Sequence, residues 1–252
     1  MPPLRFFDCN TFIGSPTNAA LYRPESAESL LAAMDRAGIE RALVWHIAQH
    51  DHDPITGNEL LTAAIAPHPR LVGSWTLLPP QCGEIGDVSE WLAAAAQARV
   101  RAFRAFPAAG RYLLRSAVLG DLLDAFVMYR LPLILSIQRG VTWEMVYNLM
   151  AEYPDLTLIV ADVDIWGPDR FFRPLIERYS RVYLDISSYL SDGGLEAFAE
   201  EYGVDRLLFG TGHPACYHGS AMLALAHAEI GDEEKQAVAG GNLDRLLEEA
   251  LP

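Results

Sequence analysis

A chain of 252 residues, 51% hydrophobic and 21% charged, is long enough to bury a large core and ordinary in composition for a globular enzyme. Its formal net charge of −14 disfavours nucleic acid and acidic membrane surfaces as partners, because phosphate recognition relies on clustered Lys and Arg. No apolar run reaches the ~18 residues of a membrane span, and three cysteines (Cys9, Cys82, Cys216) without pairing or metal-like spacing fit a reducing cytoplasm.

The opening Met1-Pro2-Pro3-Leu4-Arg5-Phe6-Phe7-Asp8 runs straight into a strand, with no basic segment followed by an apolar one, so a cytoplasmic location is expected. Strand-length apolar runs then alternate with amphipathic stretches to the end of the chain. Strands are predicted at 4–9, 41–47, 71–78, 100–106, 132–137, 156–161, 181–186 and 205–210. Leu156-Thr157-Leu158-Ile159-Val160-Ala161 is nearly continuously apolar, as a strand buried on both faces should be. Helices are predicted over Ser26–Ala37 and Leu114–Tyr129; in the second, Val118, Leu122, Ala125, Phe126 and Tyr129 recur at helical spacing. Gly38 and Gly203 mark helix stops, and Pro132 and Pro154 sit in the turns that follow.

No Gly/Ser-rich or polar linker divides the chain, so residues 1–252 are read as one domain. Eight strand–helix units suit a closed barrel or an open doubly wound sheet. The first strand leads into Asp8-Cys9-Asn10-Thr11-Phe12-Ile13-Gly14, with one glycine and no phosphate-binding loop. The expected fold is therefore α/β, a single-domain (β/α)8 TIM barrel with its site at the C-terminal ends of the strands.

Phe7-Asp8-Cys9-Asn10-Thr11-Phe12-Ile13-Gly14 resembles the opening of the amidohydrolase-2 family, in which an Asp precedes His-x-His and a Gly. Similar segments follow in the family's order: Pro67–Gly73, Arg101–Arg104, Leu131–Ser136, Tyr153–Asp162, Val182–Ser187 and Arg206–Pro214, the last resembling a Gly-Thr-Asp eighth strand. The resemblance spans nearly the whole chain and implies a barrel for metal-assisted hydrolysis or decarboxylation. The departures are systematic. Where the family carries its metal ligands, this chain has Asn10, Phe12, Ser136, Asp162 and Gly212. Phe and Gly offer no donor atom and Ser is a poor zinc ligand, so no metal or other cofactor is expected.

If those positions face inward, strand alternation brings Asp8, Asn10, Ser136, Gln138, Asp162 and Asp164 to the mouth, with Arg104 and Asp185 beside them. Arg104 is then the expected cation for Asp8 or Asp162. Asp162, His213 and Asp8 form the candidate catalytic set. Asp162 could act as a general base or simply pair with Arg104, His213 could act as an acid–base or line the rim, and Asp8 has a capping role as its competing reading. Arg104, Asn10, Gln138, Ser136, His46 and Asp185 are candidate substrate contacts, although for His46 a satisfied core histidine beside Trp45 competes. Arg104 and Arg139 could clamp a carboxylate, Arg139 having solvent exposure as its alternative.

His50-Asp51-His52-Asp53 is expected to be a solvated loop, and Cys216 an inert thiol. Phe12 reads as a hydrophobic plug at the pocket floor. Phe106, Trp75 and Trp166 read as pocket wall or core, with core favoured for Trp75. The loops at 14–23 and 48–57 could cover the mouth. The expected function is a metal-independent amidohydrolase-like hydrolase, of lactonase type, acting on a small carboxylated molecule. The alternatives are a retired barrel that binds a ligand or protein, and an oxygen-rich Mg2+ or Mn2+ site rebuilt from Asp8, Asn10 and Asp162.

Overall fold

The computed structural model describes residues 4–17, 26–164 and 168–250. Eight parallel strands follow one another around a single sheet: β1 (Phe6–Ile13), β2 (Ile39–His46), β3 (Leu71–Thr76), β4 (Val100–Arg104), β5 (Leu133–Ser136), β6 (Leu158–Ala161), β7 (Val182–Asp185) and β8 (Leu207–Leu208). The seam between β8 and β1 is bridged beyond the two residues of β8. The backbone N–H of Cys9 donates to Phe209 O at 2.8 Å, Gly212 N–H to Asn10 O at 2.9 Å and Phe12 N–H to His213 O at 3.0 Å. The expected (β/α)8 architecture is the observed one.

The longer helices are α1 (Ala27–Ala37), α2 (Pro54–Ile65), α3 (Val88–Gln97), α4 (Ser116–Met128), α5 (Trp143–Glu152), α6 (Asp169–Arg178), α7 (Gly194–Tyr202), α8 (His218–His227) and α9 (Asn242–Glu248). Local chemistry sets their ends. Ser26 and Ser29 exchange side-chain and backbone hydrogen bonds across the first turn of α1, and Gly38 ends it in the left-handed region at φ 77°. The segment expected as a solvated loop at residues 50–53 is built instead. Ala48–Asp51 form a helical turn, and Asp53 caps α2 through Thr56 N at 2.7 Å, with Pro54 supplying a preset first-turn φ. Among the described residues no helix is long and apolar enough to cross a membrane.

Inside the lower barrel, Phe7, Cys9, Leu43, Ala102, Ile134, Ile159, Ala161, Tyr183 and Leu208 form one buried apolar cluster. Continuing the same alternation up each strand brings Arg104, Ser136 and Asp185 to the mouth. In β1 the alternation breaks. Asp8 pairs with Ala42 and Thr11 with Val44, three residues of β1 against two of β2, so one extra residue is accommodated as a bulge. Below the bulge Phe7 and Cys9 face the barrel interior; above it Asn10 and Phe12 do. Simple alternation, which put Asp8 and Asn10 on one inward face, fails at this point.

Candidate active site

Asn10 is the hub of a buried polar ring. Its amide nitrogen donates to Asp162 Oδ1 at 2.6 Å and to Asp185 Oδ2 at 2.8 Å, while its Oδ1 accepts from Arg104 Nη2 at 3.2 Å. A guanidinium only donates, so the amide oxygen must face Arg104 and the NH2 group must face the carboxylates. Arg104 is held in turn by Ser74 Oγ, which accepts from its Nε at 3.2 Å. Arg104, Asn10, Ser136 and Asp185 are all buried. The direct Arg104–carboxylate pair expected from the sequence is replaced by a relay through Asn10.

Asp162 follows β6 with φ 51°, a left-handed conformation that Asp tolerates better than most residues, and this turns its carboxylate across the mouth. Ser136 Oγ donates to its Oδ2. Asp185 is fixed from the other side, Oδ1 accepting from Ser187 N at 2.8 Å and Oδ2 from Ser187 Oγ at 2.7 Å. Burial, with the neighbouring Asp162 charge, pushes the Asp185 carboxyl up to about 6. Burial also lowers the Arg104 guanidinium to about 10, which leaves it cationic at neutral pH.

Asp8 lies outside this ring. Its Oδ1 accepts from Asn10 N and Thr211 N, both at 3.0 Å, and its Oδ2 accepts from Thr211 Oγ1 at 2.5 Å. The carboxyl fastens β1 to the segment leaving β8, so the structure places this predicted catalytic residue as a staple of the barrel seam. Burial raises it to about 7.

Above the ring lies an aromatic floor. Phe12 and Trp45 have centroids 5.0 Å apart, and Trp45 and Phe106 5.3 Å apart. Arg139, which the sequence leaves as either a carboxylate clamp or a solvent-facing residue, is half-buried and lies over Trp45 at 4.6 Å and Phe12 at 5.2 Å. This floor opens into a cavity of about 1160 Å3 whose wall includes Arg36, His50, Gln138, Arg139, Cys216 and His218. Gln138 is exposed there rather than inward in the ring, and Asp164 faces solvent, because the chain leaves strand geometry after Ser136 and after Ala161.

Two predicted histidines do other work. His213 is buried and stacks on His218 with centroids 3.8 Å apart; burial and the neighbouring ring push it down to about 3. A neutral imidazole that resists protonation is a weak base, so it does not suit the acid–base role expected of it. His46 accepts from Ala48 N at its Nδ1 at 3.1 Å and packs beneath Gly14, where a β-carbon would stand 2.7 Å from its Cε1. Trp75 is buried and donates to Thr62 Oγ1 at 3.1 Å, a core position. Trp166 and residues 18–25 lie outside the described residues.

The sequence matches the family described as Amidohydrolase over residues 11–248. The chain belongs to the amidohydrolase-2 family. Solved structures agree on the fold. An uncharacterised TIM-barrel protein from Bordetella bronchiseptica superposes with a TM-score of 0.76 at 19% identity, covering 98% of this chain and 99% of that one. 5-Carboxyvanillate decarboxylase from Sphingomonas paucimobilis gives 0.71 at 16%, covering 98% and 99%. A probable 2-pyrone-4,6-dicarboxylic acid hydrolase from Acinetobacter baumannii, with citric acid bound, gives 0.72 at 13%, covering 97% and 100%. No curated protein matches the chain.

The residues at the mouth do not fit the divalent ion that the amidohydrolase-2 resemblance implies. Gly212 has no donor, and Phe12 packs an aromatic ring where a ligand would stand. Ser136 spends its hydroxyl on Asp162, and the Asn10 NH2 group points at both carboxylates whose lone pairs an ion would need. Among the described residues no group of three or more His, Cys, Asp or Glu is arranged to hold a metal.

Sequence reasoning missed four participants. Thr211 and Ser187 lie in segments that resemble the family's eighth and seventh strands, and that likeness is the signal that could have found them; Ser74 is a short polar residue inside an apolar strand, with no motif to distinguish it. Arg36 sits in α1, remote in sequence from any strand end, and only the closed barrel brings it to the cavity.

Proposed function

We propose that the protein is a hydrolase of small carboxylated esters or lactones that works without a bound metal or other cofactor. The observation that carries this reading is a half-buried Asp162 carboxylate, anchored by Asn10 and Ser136 and acting electrostatically on Arg139, which lines a cavity that bears two guanidinium groups. Asp162 acts electrostatically on Cys216 as well, a second residue of the same cavity wall. A carboxylate has about four lone-pair sites, and two donors leave room for a water.

In this mechanism Asp162 takes a proton from that water as its oxygen bonds to the substrate carbonyl carbon. Collapse of the tetrahedral adduct breaks the acyl C–O bond, and the leaving oxygen receives the proton from Asp162. Arg139, restrained over Trp45 and Phe12, holds the substrate carboxylate with its planar fork. Arg104 does not touch substrate; it orients Asn10, which orients Asp162. Amidohydrolase-2 membership and structural likeness to a named pyrone hydrolase support small-molecule hydrolysis.

A second reading, a barrel that binds small acids without turnover, is favoured by the Phe12–Trp45–Phe106 floor between the buried ring and the cavity. Chelator-treated protein assayed against lactones, esters and amides separates the two. The proposal expects hydrolysis of at least one lactone, lost in Asp162→Asn. Binding of small acids with no turnover across the panel would favour the second reading.

A further inference from the structure

Two carboxylates of one ring, Asp162 and Asp185, face a single nitrogen. Bringing two such groups together in a buried site is costly unless positive charge or donors intervene. Here every carboxylate oxygen already has a donor. Asp162 receives Asn10 Nδ2 and Ser136 Oγ; Asp185 receives Asn10 Nδ2, Ser187 Oγ and Ser187 N. The Asn10 amide cannot turn over to offer its oxygen to this pair, because Arg104 occupies that oxygen and has no acceptor to offer the NH2 group in exchange. Ser74 and the face of Trp45, 5.3 Å from the guanidinium carbon, restrain Arg104 itself.

We infer that the side-chain amide of Asn10, locked by Arg104, stands in for the divalent cation between Asp162 and Asp185. The device is a neutral donor backed by a buried guanidinium, and it takes one lone pair of each carboxylate on the side where an ion between them would bind. This deepens only the metal-free part of the proposed function; it makes no use of the reaction. Asn10→Asp is the discriminating change. It preserves shape and leaves Arg104 an acceptor, yet replaces the NH2 group by a third oxygen facing two carboxylates, an oxygen-rich set suited to Mg2+ or Mn2+.

The test is calorimetric and thermal titration of chelator-treated full-length protein with Mn2+ alone. Wild type should show no saturable binding and no change in Tm. Asn10→Asp should unfold at lower temperature without the ion and recover with Mn2+, binding it saturably and at least about ten-fold more tightly than the weakest affinity the titration would detect for wild type. Asn10→Ala should unfold early and gain nothing from Mn2+. Saturable Mn2+ binding by wild type that Asp162→Asn removes would overturn the inference, as would an Asn10→Asp response no larger than that of Asn10→Ala. If Asn10→Asp does not fold, the comparison of wild type with Asp162→Asn decides alone. A protein that hydrolyses nothing would sink the proposed reaction and leave these outcomes unchanged.

Discussion

Gly210 and Asp185 are in closer apposition than any side chain at position 210 would allow: a β-carbon there would lie 2.1 Å from Asp185 Oδ1. The segment leaving β8 thus presses bare backbone against the carboxylate that anchors one side of the Asn10 amide. Gly210→Ala should cost about 1–3 kcal/mol through overpacking and displace Asp185 from Asn10. Urea unfolding measures the first effect, and a wild-type midpoint would contradict it.

Asp162→Asn is expected to keep the fold. Asn also tolerates the left-handed backbone found there, and its amide can still accept from Asn10 while its NH2 group donates to Ser136. Hydrolysis should fall by about 10²–10⁴-fold with the base removed, while thermal stability stays near wild type. Steady-state kinetics beside a melting curve checks both halves.

Arg139 should prove a residue for binding rather than chemistry. Replacing it by Ala removes a charge-assisted contact of about 1.5–3 kcal/mol, which should appear mainly in KM. Lys should rescue poorly, since a point ammonium neither stacks on Trp45 nor forks to a carboxylate. An unchanged KM in Arg139→Ala would place the substrate elsewhere.

The stapling carboxyl of Asp8 should leave a signature in stability against pH. Its folded-state pKa of about 7 stands above the ordinary 3.8, so the folded chain holds this proton more tightly than the unfolded one. The contribution is fully present below pH about 4 and is lost as pH rises through about 7. Asn at this position carries no charge and can keep the same partners, Thr211 Oγ1 then accepting instead of donating. Asp8→Asn should therefore gain on wild type by a few kcal/mol, on the order of the linkage energy, between those limits. Asp185 is raised in both proteins, so only its charge interaction with Asp8 enters the difference. Unfolding of the pair at several pH values tests this; a difference that stays flat or shrinks would contradict it.

The barrel was legible because its signals are redundant. Continuous apolar strands such as Leu158–Ala161, the cap at Ser26 and the stop at Gly38 each act locally and point the same way. The site was legible only in outline. Asn10, Asp162, Asp185, Ser136 and Arg104 do converge, but the β1 bulge flips the face of the strand within three residues, and so simple alternation puts Asp8 in the ring instead of the seam. The role of His213 depends on burial against His218, a neighbour five residues on whose ring reaches it only through the turn into α8. The sequence leaves Arg139 between a clamp and a solvent-facing residue because nothing in its own segment announces Trp45 and Phe12 as its stacking partners.

The most direct measurement is kcat/KM for a lactone substrate of wild-type protein after exhaustive chelation, compared with the same preparation given Mn2+ or Zn2+. Equal rates are expected, with Asp162→Asn at least about 100-fold slower under both conditions. A rate that vanishes on chelation and returns with the ion would contradict metal-free hydrolysis.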